Sequence, residues 1–196
     1  MKIQHMNRQT LIIHPEDRST EFLRRIYADI PDATVVTGGV TREKLKELIR
    51  THDRVMMMGH GSENGLLSVG NFPGSGMYAV DEDFAKLLRS KTDSVFIWCY
   101  AMSFIIKHRL QGFACDMFIS ENMEARMRRV SSTSEEVEES NHAFGRIVGM
   151  NIHKESIPLY ESVTEAYGEL AKTNRIAAYN LKRLYAYTAA GFHMRA

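Results

Sequence analysis

The chain has 196 residues, 44% of them hydrophobic, so it can bury a full core and has the usual size of one domain. Its 25 Lys and Arg balance 24 Asp and Glu, which leaves no field to gather nucleic acid or an anionic membrane, and no apolar run is long enough to span a bilayer. Met1 to Gln9 lacks the apolar core of a signal peptide, only Cys99 and Cys115 occur, and the eight histidines form no H-E-x-x-H or C-x-x-C arrangement, so a reducing, cytoplasmic setting without metal or other cofactor is expected.

Through the first two thirds, short apolar runs alternate with amphipathic stretches, the pattern of βαβ units in a mainly parallel sheet. Leu11 to His14 reads as a strand, followed by a helix with Phe22, Leu23, Ile26, Tyr27 and Ile30 on one face and closed by Pro31. Ala33 to Thr37 is a second strand. Thr41 caps a helix whose Leu45, Leu48 and Ile49 face inward, and Val55 to Met58 is a buried third strand running into Gly59-His60-Gly61. Asn64-Gly65 and the Gly- and Pro-rich stretch around Leu66 to Val69 and Met77 to Val80 predict a small hairpin. Asp81 or Asp83 then caps a helix presenting Phe84, Leu87 and Leu88, which leads to a fourth buried strand, Ser94 to Trp98, ending at Cys99.

A helix from Ser103 to Leu110 and a fifth strand from Cys115 to Ser120 follow. Ser131 to Ser140, polar and acidic, reads as a linker or exposed turn, with a capping box at Ser132 and Glu135 or at Thr133 and Glu136. From there to Tyr187 the pattern is helical, broken near Met150 to Pro158 and around Thr173, with tyrosines at 160, 167, 179, 185 and 187 as packing residues. The expected architecture is a three-layer α/β fold: an open, mainly parallel sheet with helices on both faces over residues 1–130. A helical C-terminal extension, 131–196, packs on the same domain or pairs protomers into a homo-oligomer.

In such a sheet, residues just after the strands gather at one edge, where ligands bind. His60 and Cys99 both have that position after consecutive strands, and neighbouring strands lie about 4.8 Å apart, within reach of proton transfer between imidazole and thiol. A thiol with a reference pKa of about 8.5 needs a nearby base to react as thiolate at neutral pH. The amides of Gly61 and Cys99 supply two donors for an oxyanion. Cys115, at the start of its strand, is expected on the opposite edge, beyond disulfide distance from Cys99 and inert.

Two blocks carry a resemblance to a known family. Val55-Met56-Met57-Met58-Gly59-His60-Gly61-Ser62-Glu63-Asn64-Gly65-Leu66-Leu67 resembles the apolar strand, catalytic His-Gly and hairpin of the caspase-like, clan CD cysteine peptidases, which include caspases, metacaspases, separases, legumains, gingipains and clostripain. Ser94-Val95-Phe96-Ile97-Trp98-Cys99-Tyr100-Ala101 is similar to their strand ending in the catalytic Cys. The order His then Cys, with the intervening hairpin and helix, matches that family over roughly residues 10 to 120 and argues against papain-like enzymes and glutamine amidotransferases. The resemblance implies a caspase-like fold and a cysteine endopeptidase with His60 and Cys99 as dyad, the Gly61 and Cys99 amides as oxyanion hole, and a peptide or protein as substrate.

The departures fall where specificity lies. Two residues before the nucleophile, where the family often has Gln or Asp, this chain has Ile97, so neither specificity carries over. Trp98 packs under the site or touches substrate, and Ser120, Glu121 and Glu124, in the loop after the fifth strand, offer an acidic wall for a basic side chain, with Arg18 as a counterpart of opposite sign. Arg126-Met127-Arg128-Arg129 is a processing site or an ordinary solvated helix end. Two other readings remain: a flavodoxin-like binding module whose Gly59 to Gly65 loop holds a phosphate, though without a P-loop Lys, and a catalytically silent caspase-like scaffold.

Overall fold

The structure is a computed structural model and describes residues 8–194. The chain begins with β1 (Thr10–Ile13), a 3-10 helix (Arg18–Ile26) and β2 (Thr34–Val36). It continues with α1 (Arg42–Thr51), capped by the Thr41 hydroxyl as expected, and β3 (Arg54–Met58). A small antiparallel sheet of β4 (Gly61–Ser62), β5 (Gly65–Leu67) and β6 (Tyr78–Val80) follows, then a 3-10 turn opened by Asp81, α2 (Ala85–Leu88), β7 (Ser94–Ile97), α3 (Ala101–His108) and β8 (Gly112–Cys115). The last part is helical through α4 (Asn122–Met127), α5 (Ser134–Asn151), α6 (Ser156–Leu170) and α7 (Arg175–Leu181), and ends in β9 (Leu184–Thr188) and β10 (Gly191–Met194).

The main sheet has the order β10-β9-β8-β7-β3-β1-β2. Its five strands from β2 to β8 are parallel, and β9 and β10 extend it antiparallel. Alternation along the strands sends Ile12, Met56, Met58, Val95, Ile97 and Phe113 into a core closed by the 3-10 helix, α5 and α6. Leu11, Ile13, Met57, Phe96 and Trp98 point the other way, into the core under α1, α2 and α3. The fold is therefore α/β with a mostly parallel sheet between two helical layers.

Three expectations need correction. The fifth parallel strand is Gly112–Cys115, so it ends at Cys115 instead of beginning there. Gly112 opens this strand where the backbone passes so close to β7 that a Cβ there would lie 2.1 Å from the Ser94 carbonyl oxygen. The C-terminal segment is not wholly helical: Leu184 and Ala186 pack on one side of the sheet and Tyr185 and Tyr187 on the other, the period of a strand. Ser131 to Ser140, expected as a linker or exposed turn, is mostly the first turns of α5, begun by the Thr133–Glu136 capping box, with Val137 and Ser140 turned inward.

β1 connects to β2 across one face through the 3-10 helix, and β2 returns to β3 across the other through α1. The winding reverses between β1 and β3, and at that point the segments leaving the carboxyl ends of the two strands diverge into a crevice. α5 holds the first of these segments tightly. A Cβ at Gly145 or Gly149 would lie 2.7 or 2.6 Å from the carbonyl oxygens of Phe22 and Arg25, so only glycine allows helix and 3-10 helix this close approach.

Candidate active site

The last rung between β3 and β7 is the Gly59 N–H donating to the Ile97 carbonyl at 3.0 Å. Beyond it the two chains part, and His60 and Cys99 line one narrow cleft together with Thr20, Ile97, Phe118 and Glu124. The cleft holds about 20 Å³, room for one water-sized group. Gly61 follows His60 because the Trp98 ring fills the space a side chain would need: a Cβ there would lie 2.0 Å from Trp98 Cδ1. Trp98 thus packs beneath the site, donating its indole N–H to the Ser62 carbonyl at 3.0 Å.

Cys99 leaves β7 in a turn. Tyr100, the next residue, has φ +66° and opens α3, an unusual conformation for a bulky side chain that turns the chain sharply at the cysteine. Among the described residues the Cys99 N–H donates to no other group. Gly61 pairs with Leu66 while the Leu67 N–H donates to the His60 carbonyl, a register that turns the Gly61 N–H away from β5. Both amides are thus unpaired with strand neighbours.

The two side chains have partners of their own. His60 Nε2 is 2.7 Å from the Ser19 hydroxyl, which donates to Asp17 Oδ1 at 2.5 Å, and His60 Nε2 is 3.7 Å from that carboxylate oxygen. Hydrogen bonds from Ser19 hold the Asp17 carboxyl below its ordinary pKa, so it is ionised at neutral pH. The Cys99 thiol donates to the Phe118 carbonyl at 3.7 Å. Burial, with the charge of Glu124 nearby, pushes the thiol pKa up to about 11, so Cys99 rests as a thiol and not as the thiolate expected beside a histidine.

Asp17 and Ser19 come from the segment after β1 and carry no sequence signal beyond that of a helix cap, since the Asp17 side chain also accepts from the Ser19 N–H. Beneath them lies His14, buried, which bonds Tyr27 through Nδ1 at 2.9 Å and Thr20 through Nε2 at 3.1 Å. Thr20 in turn donates to the Asp17 carbonyl at 3.2 Å, so His14 braces the turn that presents Asp17 and Ser19.

The opposite wall is fixed from the C-terminal helices. Asn180, fully buried on α7, accepts from the Ile119 N–H at 2.8 Å and donates to the Ile119 carbonyl at 2.9 Å, and Asn141 on α5 donates to the Ser120 carbonyl at 2.8 Å. Glu124 Oε2 accepts from the amides of Ser120 and Glu121 at 2.7 and 3.1 Å and from the Ser120 hydroxyl at 3.1 Å. Ser120, Glu124, Ile97 and Trp98 line the cleft, whereas Arg18 and Glu121 are exposed and stand outside its lining.

Cys115 corrects a further expectation. At the carboxyl end of β8 it shares the edge and the cleft with Cys99, and its thiol donates to the Trp98 carbonyl at 3.3 Å. It is buried, and desolvation raises its pKa well above the ordinary value. Among the described residues no group of three His, Cys, Asp or Glu could hold a metal ion, and no helix is long and apolar enough to cross a membrane. Comparisons of the chain with family models, curated proteins and solved structures return no match.

Proposed function

We propose that this protein is a cysteine endopeptidase of the caspase-like kind, hydrolysing peptide bonds through a thioester on Cys99. The observation that carries the reading is the shared cleft of His60 and Cys99 at the carboxyl ends of neighbouring parallel strands. His60 takes the thiol proton as substrate enters, the sulfur attacks the scissile carbonyl carbon, and the free N–H groups of Gly61 and Cys99 bind the developing oxyanion. The proton on His60 then passes to the leaving amine, and a water, deprotonated by the same imidazole, releases the acid from the thioester.

The raised thiol pKa fits a nucleophile uncovered only when needed. A half-buried thiol beside the Phe118 carbonyl stays protonated until a ligand displaces that contact and brings imidazole and sulfur together. Because the cleft is so narrow, binding of a peptide requires it to widen between His60 and the wall from Phe118 to Glu124. The carboxylate of Glu124 in that wall favours a basic side chain in the substrate. The same carboxylate, with Asp17 across the crevice, disfavours the phosphate-binding alternative, because anionic ligands gather where N–H groups and cations converge.

Incubation with a peptide library and mass spectrometric reading of the fragments tests the proposal. Wild-type protein is expected to cleave a subset of peptides, with cleavage lost in Cys99→Ala and in His60→Ala. Cleavage that persists in Cys99→Ala, or a library left intact by wild-type protein, rules the reading out.

A further inference from the structure

We infer that Asp17 and Ser19 are positioning residues that hold neutral His60 with its proton on Nε2, which makes Nδ1 the atom that receives the Cys99 proton; the catalytic meaning of this rests on the peptidase reading. The inference follows from counting protons. An ionised carboxylate has no proton to give, so the 2.5 Å contact between Ser19 Oγ and Asp17 Oδ1 consumes the single hydroxyl proton of Ser19. Ser19 Oγ can then meet His60 Nε2, 2.7 Å away, only through a lone pair, and the ring nitrogen has to be the donor. A neutral imidazole carries one N–H, so Nδ1 is left with a free lone pair. Among the described residues Nδ1 of His60 has no hydrogen-bond partner.

The same arrangement serves the protonated state. When Nδ1 takes the thiol proton, the positive charge spreads over a ring whose Nε2–H already points, through Ser19, at the Asp17 carboxylate. The proton travels from Cys99 Sγ to Nδ1 and later from Nδ1 to the leaving amine, and Ser19 and Asp17 keep their own protonation states throughout. Ser19 is therefore a spacer between carboxylate and imidazole and not a nucleophile: its proton is directed at Asp17, and a base that donates to a hydroxyl cannot deprotonate it. The geometry is rigid because the carboxylate also accepts from the Ser19 N–H at 2.8 Å and because His14 and Thr20 brace the turn from below.

The experiment is nitrogen-15 NMR of histidine-labelled protein at pH 8, on wild type and on Ser19→Ala, Ser19→Thr and Asp17→Asn. The wild-type His60 spectrum is expected to show a protonated Nε2 and an unprotonated Nδ1. Ser19→Ala is expected to lose that preference and give both tautomers, and Ser19→Thr, which keeps the hydroxyl, to retain it. An Nδ1–H tautomer in wild type, or an unchanged spectrum in Ser19→Ala, overturns the inference, and the wild-type spectrum decides even if a variant fails to fold. In the cleavage assay, kcat of Ser19→Ala is expected to fall about tenfold to a hundredfold with KM little changed, and Ser19→Thr to recover most of it. An Nε2–H tautomer in a protein that cleaves no peptide refutes the peptidase reading and leaves the assignment of the ring standing.

Discussion

Cys115 donates its thiol proton to the carbonyl of Trp98, the residue immediately before Cys99, at 3.3 Å. The Cys99 thiol in turn bonds the carbonyl of Phe118, three residues after Cys115, so each cysteine is tied to the segment that carries the other. The two differ in access, Cys99 being part-exposed and Cys115 fully buried.

That difference predicts an ordered and pH-dependent alkylation. Iodoacetamide is expected to label Cys99 first and Cys115 only on unfolding. With the Cys99 pKa at about 11, the resting rate near neutral pH is low and rises about tenfold per pH unit as the thiolate fraction grows. Peptide mapping of the alkylated sites at pH 7, 8 and 9 measures both effects. Equal labelling of the two cysteines in folded protein, or a rate that does not change with pH, contradicts this arrangement.

Acid weakens the brace beneath the site. Burial lowers the pKa of His14 from 6.5 to about 4, so between those values the unfolded chain binds a proton that the folded chain refuses. Stability is therefore unaffected by His14 above about pH 7 and falls as pH drops from 6.5 to 4, by roughly 3 kcal/mol across the full window. Denaturant melts of wild type and His14→Gln at pH 7.5 and pH 4.5 isolate the effect, with a smaller acid loss expected in the variant. Direct titration of the His14 ring checks it independently, and a midpoint near 6.5 would remove the premise.

Asn180 is predicted to matter more than its distance in sequence suggests. Asn180→Ala leaves the buried N–H and C=O of Ile119 without partners, a cost of about 2 to 4 kcal/mol. It also frees the segment carrying Phe118 and Ser120, so Cys99 labelling should accelerate relative to wild type at the same pH. Thermal melts and the alkylation assay read the two consequences. An unchanged melting temperature contradicts the first, and a slower labelling rate the second.

Much of the sheet was legible because its signals are local. The Met56-Met57-Met58 run, the Thr41 cap and the Thr133–Glu136 capping box each rest on residues a few positions apart, and each appears in the structure as expected. Errors arose where a residue type has two physical uses. The fifth strand, expected from Cys115 to Ser120, runs from Gly112 to Cys115, where glycine serves a close strand contact, and this puts Cys115 on the same edge as Cys99. Tyr179, Tyr185 and Tyr187 fit helical spacing, yet Tyr185 and Tyr187 alternate with Leu184 and Ala186 on a strand that pairs with β8.

By itself the sequence determined the alternation of strands and helices, and with it the position of His60 and Cys99 at the carboxyl ends of β3 and β7, since hydrophobic period and turn chemistry are written in neighbouring residues. Tertiary structure alone decided what surrounds those two side chains. The Ser19 hydroxyl against the imidazole, the Phe118 carbonyl against the thiol, and Asn180 behind the cleft wall join segments far apart in the chain. Such polar partners are chosen by the winding of the sheet and by the need to satisfy buried groups, and neither leaves a periodic trace in the sequence.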